Sequence, residues 1–215
     1  GFADTVFAGA VAPRFDGDRR ACREALGLFD DRELVVLTTG AVTPYNAEHL
    51  RAVVDTVVRA WRRYRSADGE LVILSDVRPE VDDPSVRSVG RVRDPAPYYQ
   101  AADVVVANAT FSTMCTLARN DVPTVVVTGG RNPVDRLHAD FFASTGHVRA
   151  VEVGVSEQLL WSAIEAVVTS EPTVRTPLVW ADPSTVADLL LRAVPERQRS
   201  LGRHVDVPPE GAATR

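Results

Sequence analysis

Short apolar runs alternate with longer amphipathic stretches along the chain. Runs at 34–39, 71–75, 86–92, 103–107, 124–128 and 148–153 are rich in Val, Leu and Ile. Near-continuous apolar runs of this length predict strands buried on both faces, as in a parallel sheet. Between them the apolar positions recur at helical spacing. Leu50, Val53, Val54, Val57, Val58 and Trp61 share one face of a helix predicted over 43–65, while Arg51, Arg59, Arg62 and Arg63 fall mostly on the other side. Thr43-Pro44 reads as its cap and first helical position. Further helices are predicted over 16–27, closed by Gly27, and from Asp94-Pro95 through Tyr99. Others follow residue 113 and cover 135–144, 156–169 and 183–193. Residues 6–11 form a possible first strand or hinge, and the acidic turn 79–84 separates two strands.

Strands alternating with helices predict an α/β, Rossmann-like three-layer domain: about six parallel strands with helices on both faces. The organisation expected is one such domain over 1–195 and a polar, Pro-containing tail over 196–215 that lacks the apolar residues to fold. No repeat is visible.

In such sheets ligands bind beyond the carboxyl ends of the strands, where the following helices present unbonded amides. Four loops meet that description. Residues 108–113, Asn-Ala-Thr-Phe-Ser-Thr, follow the 103–107 strand and open a helix. The amides there, with the Thr110, Ser112 and Thr113 hydroxyls, suit a diphosphate held without a metal. The competing reading is ordinary capping by Ser112. Residues 128–135, Thr-Gly-Gly-Arg-Asn-Pro-Val-Asp, form a second loop, with the alternative of a Gly-rich turn and a solvated helix face. Thr39 and Gly40 end the first apolar strand, and Gly40 allows close backbone approach. Residues 90–94, Gly-Arg-Val-Arg-Asp, precede Pro95 and read equally as a strand end capped by Asp94.

Composition narrows the chemistry. The chain has 215 residues, 45% hydrophobic and 25% charged, ordinary globular values. A net charge of −5 argues against a nucleic-acid binder. No apolar run reaches the roughly 18 residues of a membrane span, and residues 1–12 lack the basic start of a signal peptide. Cys22 and Cys115 are too few for a disulfide framework or a metal knuckle. A cytoplasmic protein fits these features. All 24 basic residues are arginine, which excludes a P-loop lysine and Schiff-base chemistry. Asp16-Gly-Asp18 has the spelling of a metal motif but precedes a helix, where acidic residues are favoured. His49, His138, His147 and His204 lack metal-ligand spacing.

The strand, loop, helix and strand of residues 101–130 resemble the donor-nucleotide half of GT-B glycosyltransferases. The resemblance is nearest to the bacterial family 28 type that makes the peptidoglycan disaccharide from UDP-GlcNAc. It covers roughly 8–170 and implies a metal-independent, cofactor-free transfer of a sugar from a nucleotide diphosphate, most simply a UDP-sugar, to an acceptor hydroxyl. By that resemblance Asn108, Thr110, Phe111, Ser112 and Thr113 hold the diphosphate, and Thr116 stands where the family has a ribose-binding Glu. Thr110 replaces a glycine, and Phe111 is bulkier than the family residue. Gly129, Gly130, Arg131, Asn132 and Asp135, with Arg136 and His138, fall on the segment that contacts the donor sugar. The family's Asp-x-x-Gln pattern there is half kept, with Asp135 present and His138 or Leu137 in place of the Gln. Val92 and Arg93 map to backbone that recognises the uracil, and Thr39 and Gly40 to a loop facing the interdomain cleft.

The resemblance spans only the second half of such enzymes. A missing amino-terminal half, in the same gene or a separate subunit, is the expected partner, and the chain alone is expected to be inactive. The alternatives are a degenerate GT-B half that binds a nucleotide or partner without chemistry, and a nucleotide-sugar epimerase-like domain. Epimerases of this kind keep acids and a histidine in the second half, and no matching cluster stands in this sequence.

Overall fold

The computed structural model describes residues 9–65, 67–129, 132–169 and 178–193. The elements in chain order are α1 (Arg19–Ala25), β1 (Leu34–Thr38), α2 (Ala47–Tyr64), β2 (Glu70–Leu74), β3 (Val86–Ser88), α3 (Ala96–Ala101), β4 (Val104–Asn108), α4 (Phe111–Arg119), β5 (Thr124–Thr128), α5 (Pro133–Ser144), β6 (Arg149–Glu152), α6 (Glu157–Thr169) and α7 (Pro183–Ala193). The described residues between 12 and 178 form one compact unit, and residues 9–11 with 179–193 belong to another. In the second unit the described residues include α7 and a bridge in which Ala10 pairs with Trp180. The tail expected over 196–215 and the start of the 6–11 segment lie outside the described residues.

All six strands are parallel, in the order β3-β2-β1-β4-β5-β6. This is the doubly wound Rossmann order predicted in kind from the sequence. Alternation along each strand divides the core in two, because successive side chains point to opposite faces. Val35, Leu37, Leu71, Ile73, Val104, Val106, Val125 and Val127 face α2 and α6. Leu34, Val36, Val72, Leu74, Val105 and Ala107 face Tyr99 and Ala101 of α3, Leu117 of α4, and Leu28. The apolar stripe read from the sequence is the buried face of α2. Leu50, Val53, Val54, Val57 and Trp61 are all at most 2% exposed. The Trp61 indole donates to Ser85 Oγ (3.0 Å) and meets Trp161 of α6 edge-on at 6.0 Å.

Three boundaries differ from the sequence reading. α2 starts at Ala47, because residues 43–46 form a turn closed by Asn46 Oδ1 accepting from the Thr43 amide (2.6 Å). β3 stops at Ser88, before Gly90 at φ +81°, where a strand cannot continue regularly. α4 starts at Phe111, so the loop after β4 is only Ala109 and Thr110. Ser112 is thus inside the helix, and Thr110 is the N-cap residue, without a side-chain cap bond. Asp18, by contrast, caps α1 by accepting from the Ala21 amide (3.2 Å), the structural reading given to the Asp-Gly-Asp spelling.

One buried charge ties the lower end of the sheet together. Arg23 of α1 is 2% exposed. Its guanidinium donates to the carbonyls of Ala101, Phe29, Asp30 and Arg32 and to Asp103 Oδ2 (2.8 Å). The same carboxylate oxygen accepts from the Leu34 amide at 2.7 Å, so one ion pair fixes the entries to both β1 and β4.

A second ionic cluster carries a pH signature. Asp83 accepts from the Ser85 hydroxyl (2.7 Å), the Ser85 amide (3.0 Å) and Arg65 (2.8 Å). The Ser85 hydroxyl, then the Ser85 amide and Arg65, hold its carboxyl down from 3.8 to about 2, against the opposing effect of burial. A lowered folded-state value gives stability that is complete above 3.8 and is lost as pH falls toward about 2. Asp83→Asn is therefore expected to lower stability at pH 7 by about 1 kcal/mol after solvent screening, with the difference from wild type closing over that window. Urea midpoints measured against pH check this; a constant difference down to the acid end would remove Asp83 as its source.

Candidate nucleotide site

Reversal of strand order between β1 and β4 creates a crevice at their carboxyl ends. Thr38 and Ala107 are in register there, so the two following loops are neighbours. Gly40, at φ +70°, has its Cβ position 3.8 Å from Thr110 Cγ2, which measures how closely those loops approach.

A cavity of about 400 Å³ opens at this point. Thr43, Tyr45, Asn46 and His49 reach it from the start of α2, Asn108 and Thr110 from the end of β4 and the cap of α4, and Asn132 and Asp135 from the start of α5. Three helix amino termini thus converge on one volume. Each carries a partial positive charge, but the amides are not equally free: α5 opens on Pro133, and its Val134 and Asp135 amides are bonded to Asn132. At α4 the first backbone bond runs from the Met114 amide to the Thr110 carbonyl (3.1 Å). The Phe111, Ser112 and Thr113 amides donate to none of the described residues. Thr110 Oγ1 donates to Thr113 Oγ1 (2.9 Å), leaving two hydroxyls beside those amides. At α5 the Asn132 side chain caps the Val134 amide (3.1 Å) and donates to Asp135 Oδ1 (3.0 Å). Among the described residues Asp135 is the one carboxylate lining the cavity, and no arginine lines it. Anion binding on the α4 side therefore rests on amides and hydroxyls. The carboxylate on the α5 side suits hydroxyl donors.

The structure gathers Asn108, Thr110, Asn132 and Asp135 as cavity-lining residues, and sets Gly40, Ser112 and Thr113 on the adjoining loops and helix start. Other sequence candidates are occupied elsewhere. The Thr39 hydroxyl is buried and donates to Ser75 Oγ at 2.7 Å. Phe111 leaves the cavity to pack on His138 (5.1 Å) and Phe142 (6.0 Å). The Thr116 hydroxyl turns back to the Ser112 carbonyl at 3.0 Å. Val92 packs against the core on the α3 and α4 face of the sheet and Arg93 is exposed; neither lines the cavity. Arg136 pairs with Glu152 of β6. Gly129 must be glycine: at φ +105°, a Cβ would stand 2.8 Å from Val153 Cγ1. Gly130 and Arg131 lie outside the described residues. A larger groove of about 620 Å³ runs from Gly129 and Asn132 past Arg136 to Glu152, at the sheet edge rather than the switch point.

His49, Thr43, Tyr45 and Asn46 are not among the sequence candidates for this site. The available signal was position: all lie just after the first strand of the switch. Among the described residues no group of three or more His, Cys, Asp or Glu is arranged to hold a metal. Burial pushes the Cys115 thiol up to about 11, which keeps it protonated and inert. Among the described residues no helix is long and apolar enough to cross a membrane.

No family model and no curated protein matches the chain in sequence. Its fold is nevertheless shared with solved structures. MurG of Acinetobacter baumannii superposes with a TM-score of 0.55 at 18% identity, over 82% of this chain and 53% of that one. The glycotransferase of kitacinnamycin gives 0.56 at 17% identity, over 88% and 49%. A UDP co-structure of MnaA from S. aureus gives 0.56 at 10% identity, over 92% and 52%. The chain spans about half the length of each. At these identities the likeness establishes the fold alone: a Rossmann-like domain of the kind that forms one half of a GT-B fold.

Proposed function

We propose that this chain is the sugar-nucleotide-binding half of a metal-independent glycosyltransferase. The observation that carries the reading is the convergence of three helix amino termini on one switch-point cavity, with free amides and hydroxyls on the α4 side and a carboxylate on the α5 side. The α4 start, from Thr110 through Thr113, takes the diphosphate. Asn132 and Asp135, with the sequence segment from Gly129 to Arg131 that precedes them, take the sugar hydroxyls, and the backbone at Val92 and Arg93 takes the base, with UDP-sugars as the donor class. As the bond to the sugar breaks, negative charge grows on the leaving diphosphate. Fixed amide dipoles already aimed at that position stabilise it without reorganisation. The acceptor hydroxyl and the base that deprotonates it come from a second half, in the same polypeptide or a partner chain.

A second reading, a nucleotide-binding module without chemistry, is favoured by one observation. Thr116 presents a hydroxyl already donated to the Ser112 carbonyl, where a ribose diol would be met best by a carboxylate. Thr116→Glu tests whether residue 116 faces the ribose. Charge-assisted bonds contribute about 1.5–3 kcal/mol each against roughly 1 for a neutral one. The variant is expected to bind UDP about tenfold more tightly by calorimetry. Equal affinity in both proteins would move the ribose away from residue 116.

A further inference from the structure

Asn108 ends β4 and is 6% exposed, yet it lines the cavity. A buried amide needs its oxygen and its nitrogen satisfied. Asn108 Oδ1 lies 3.2 Å from Nε2 of His49, in the first turn of α2. A carbonyl oxygen can only accept, so this contact requires the tautomer with the proton on Nε2. Among the described residues the Asn108 amide nitrogen has no partner, so it is the free end of a buried side chain facing the cavity.

We infer that His49 is a positioning residue: by occupying Asn108 Oδ1 it fixes the amide with both N–H groups presented to a phosphate oxygen of the bound nucleoside diphosphate. This rests on the site reading proposed above and adds a device to it. An amide can turn end for end at little cost in shape, and the other orientation would set a carbonyl oxygen against the anion. The His49 contact removes that orientation before the ligand arrives, which is preorganisation rather than an added contact. It also joins the β1–α2 and β4–α4 units across the switch point, so the two halves of the crevice present one donor set. The His49 ring itself does not touch the phosphate in this arrangement. Its effect passes through Asn108.

The test compares UDP and uridine affinities of wild type, His49→Leu and His49→Gln by calorimetry, with a thermal melt of each. Glutamine places an N–H near the position of Nε2, whereas leucine fills the space without a donor. His49→Leu is expected to lose about tenfold in UDP affinity. Uridine affinity stays within about twofold, and His49→Gln recovers most of the UDP loss. Asn108→Asp, which replaces the two donors by a carboxylate oxygen, is expected to lose more UDP affinity than His49→Leu. A nitrogen-15 spectrum of the His49 ring is expected to show the proton on Nε2. The inference is overturned if His49→Leu binds UDP like wild type. It is equally overturned if His49→Gln falls as far as His49→Leu, or if the proton sits on Nδ1 alone. Wild-type protein that binds no UDP would remove the site reading itself, and the inference with it.

Discussion

Replacing Asp103 with alanine is expected to cost the fold about 3–5 kcal/mol, because it leaves a buried guanidinium without its counter-charge. Arg23 is 2% exposed and keeps its four carbonyl acceptors in the variant, but carbonyls do not neutralise a charge. The Leu34 amide loses its acceptor in the same step. The Asp103 side chain is 22% exposed, so water can reach the vacated site in part, and the lower end of the range is favoured. For a chain of this size the thermal midpoint should fall by on the order of 10 °C. Asp103→Asn keeps one acceptor oxygen and is expected to lose less. A urea or thermal melt of the two variants reads the difference. An Asp103→Ala protein as stable as wild type would show that the Arg23 charge is solvated in solution.

Thr113→Pro is expected to weaken binding far more than folding. Thr113 is the third residue of α4, and its amide has no partner among the described residues. Proline in a first turn removes no helical hydrogen bond, so α4 survives. The hydrogen bond between the Thr110 and Thr113 hydroxyls disappears, at a cost of about 1 kcal/mol. The effect on binding is larger. An amide donating to a phosphate oxygen contributes about 1.5–3 kcal/mol, so UDP affinity should fall roughly 10- to 100-fold. Calorimetry paired with a melt separates the two effects. Unchanged affinity in a folded Thr113→Pro protein would place the diphosphate away from α4.

The parallel sheet is legible in the sequence because burial on both faces leaves a plain signature: Val35–Leu37, Val104–Val106 and Val125–Val127 are apolar without interruption. The α2 stripe is legible for the same kind of reason. Ends are less so. Thr43-Pro44 has the spelling of a helix start, yet Asn46 closes a turn there first. Ser112 looks like a cap, yet the helix has already begun at Phe111. In both cases several residues can satisfy the same backbone groups, and only the tertiary position of the loop selects one.

The candidate site is legible where residues adjacent in sequence act together, as at Asn132 and Asp135 on one helix turn. It is not legible where the cavity draws on segments far apart. His49 and Asn108 are 59 positions apart and meet because β1 and β4 are neighbours in the sheet. Phe111 sits in the right loop by sequence, but its ring finds apolar contact on His138 and Phe142 instead of the cavity.

A titration of UDP into nitrogen-15-labelled protein, followed by amide chemical shifts, decides whether a nucleoside diphosphate binds at the β1/β4 switch point. Saturable binding is expected, with the largest shifts at Phe111, Ser112 and Thr113 and smaller ones at Gly40, His49, Asn132 and Asp135. No shift at any UDP concentration, or shifts confined to the Arg136–Glu152 groove, would rule out binding there.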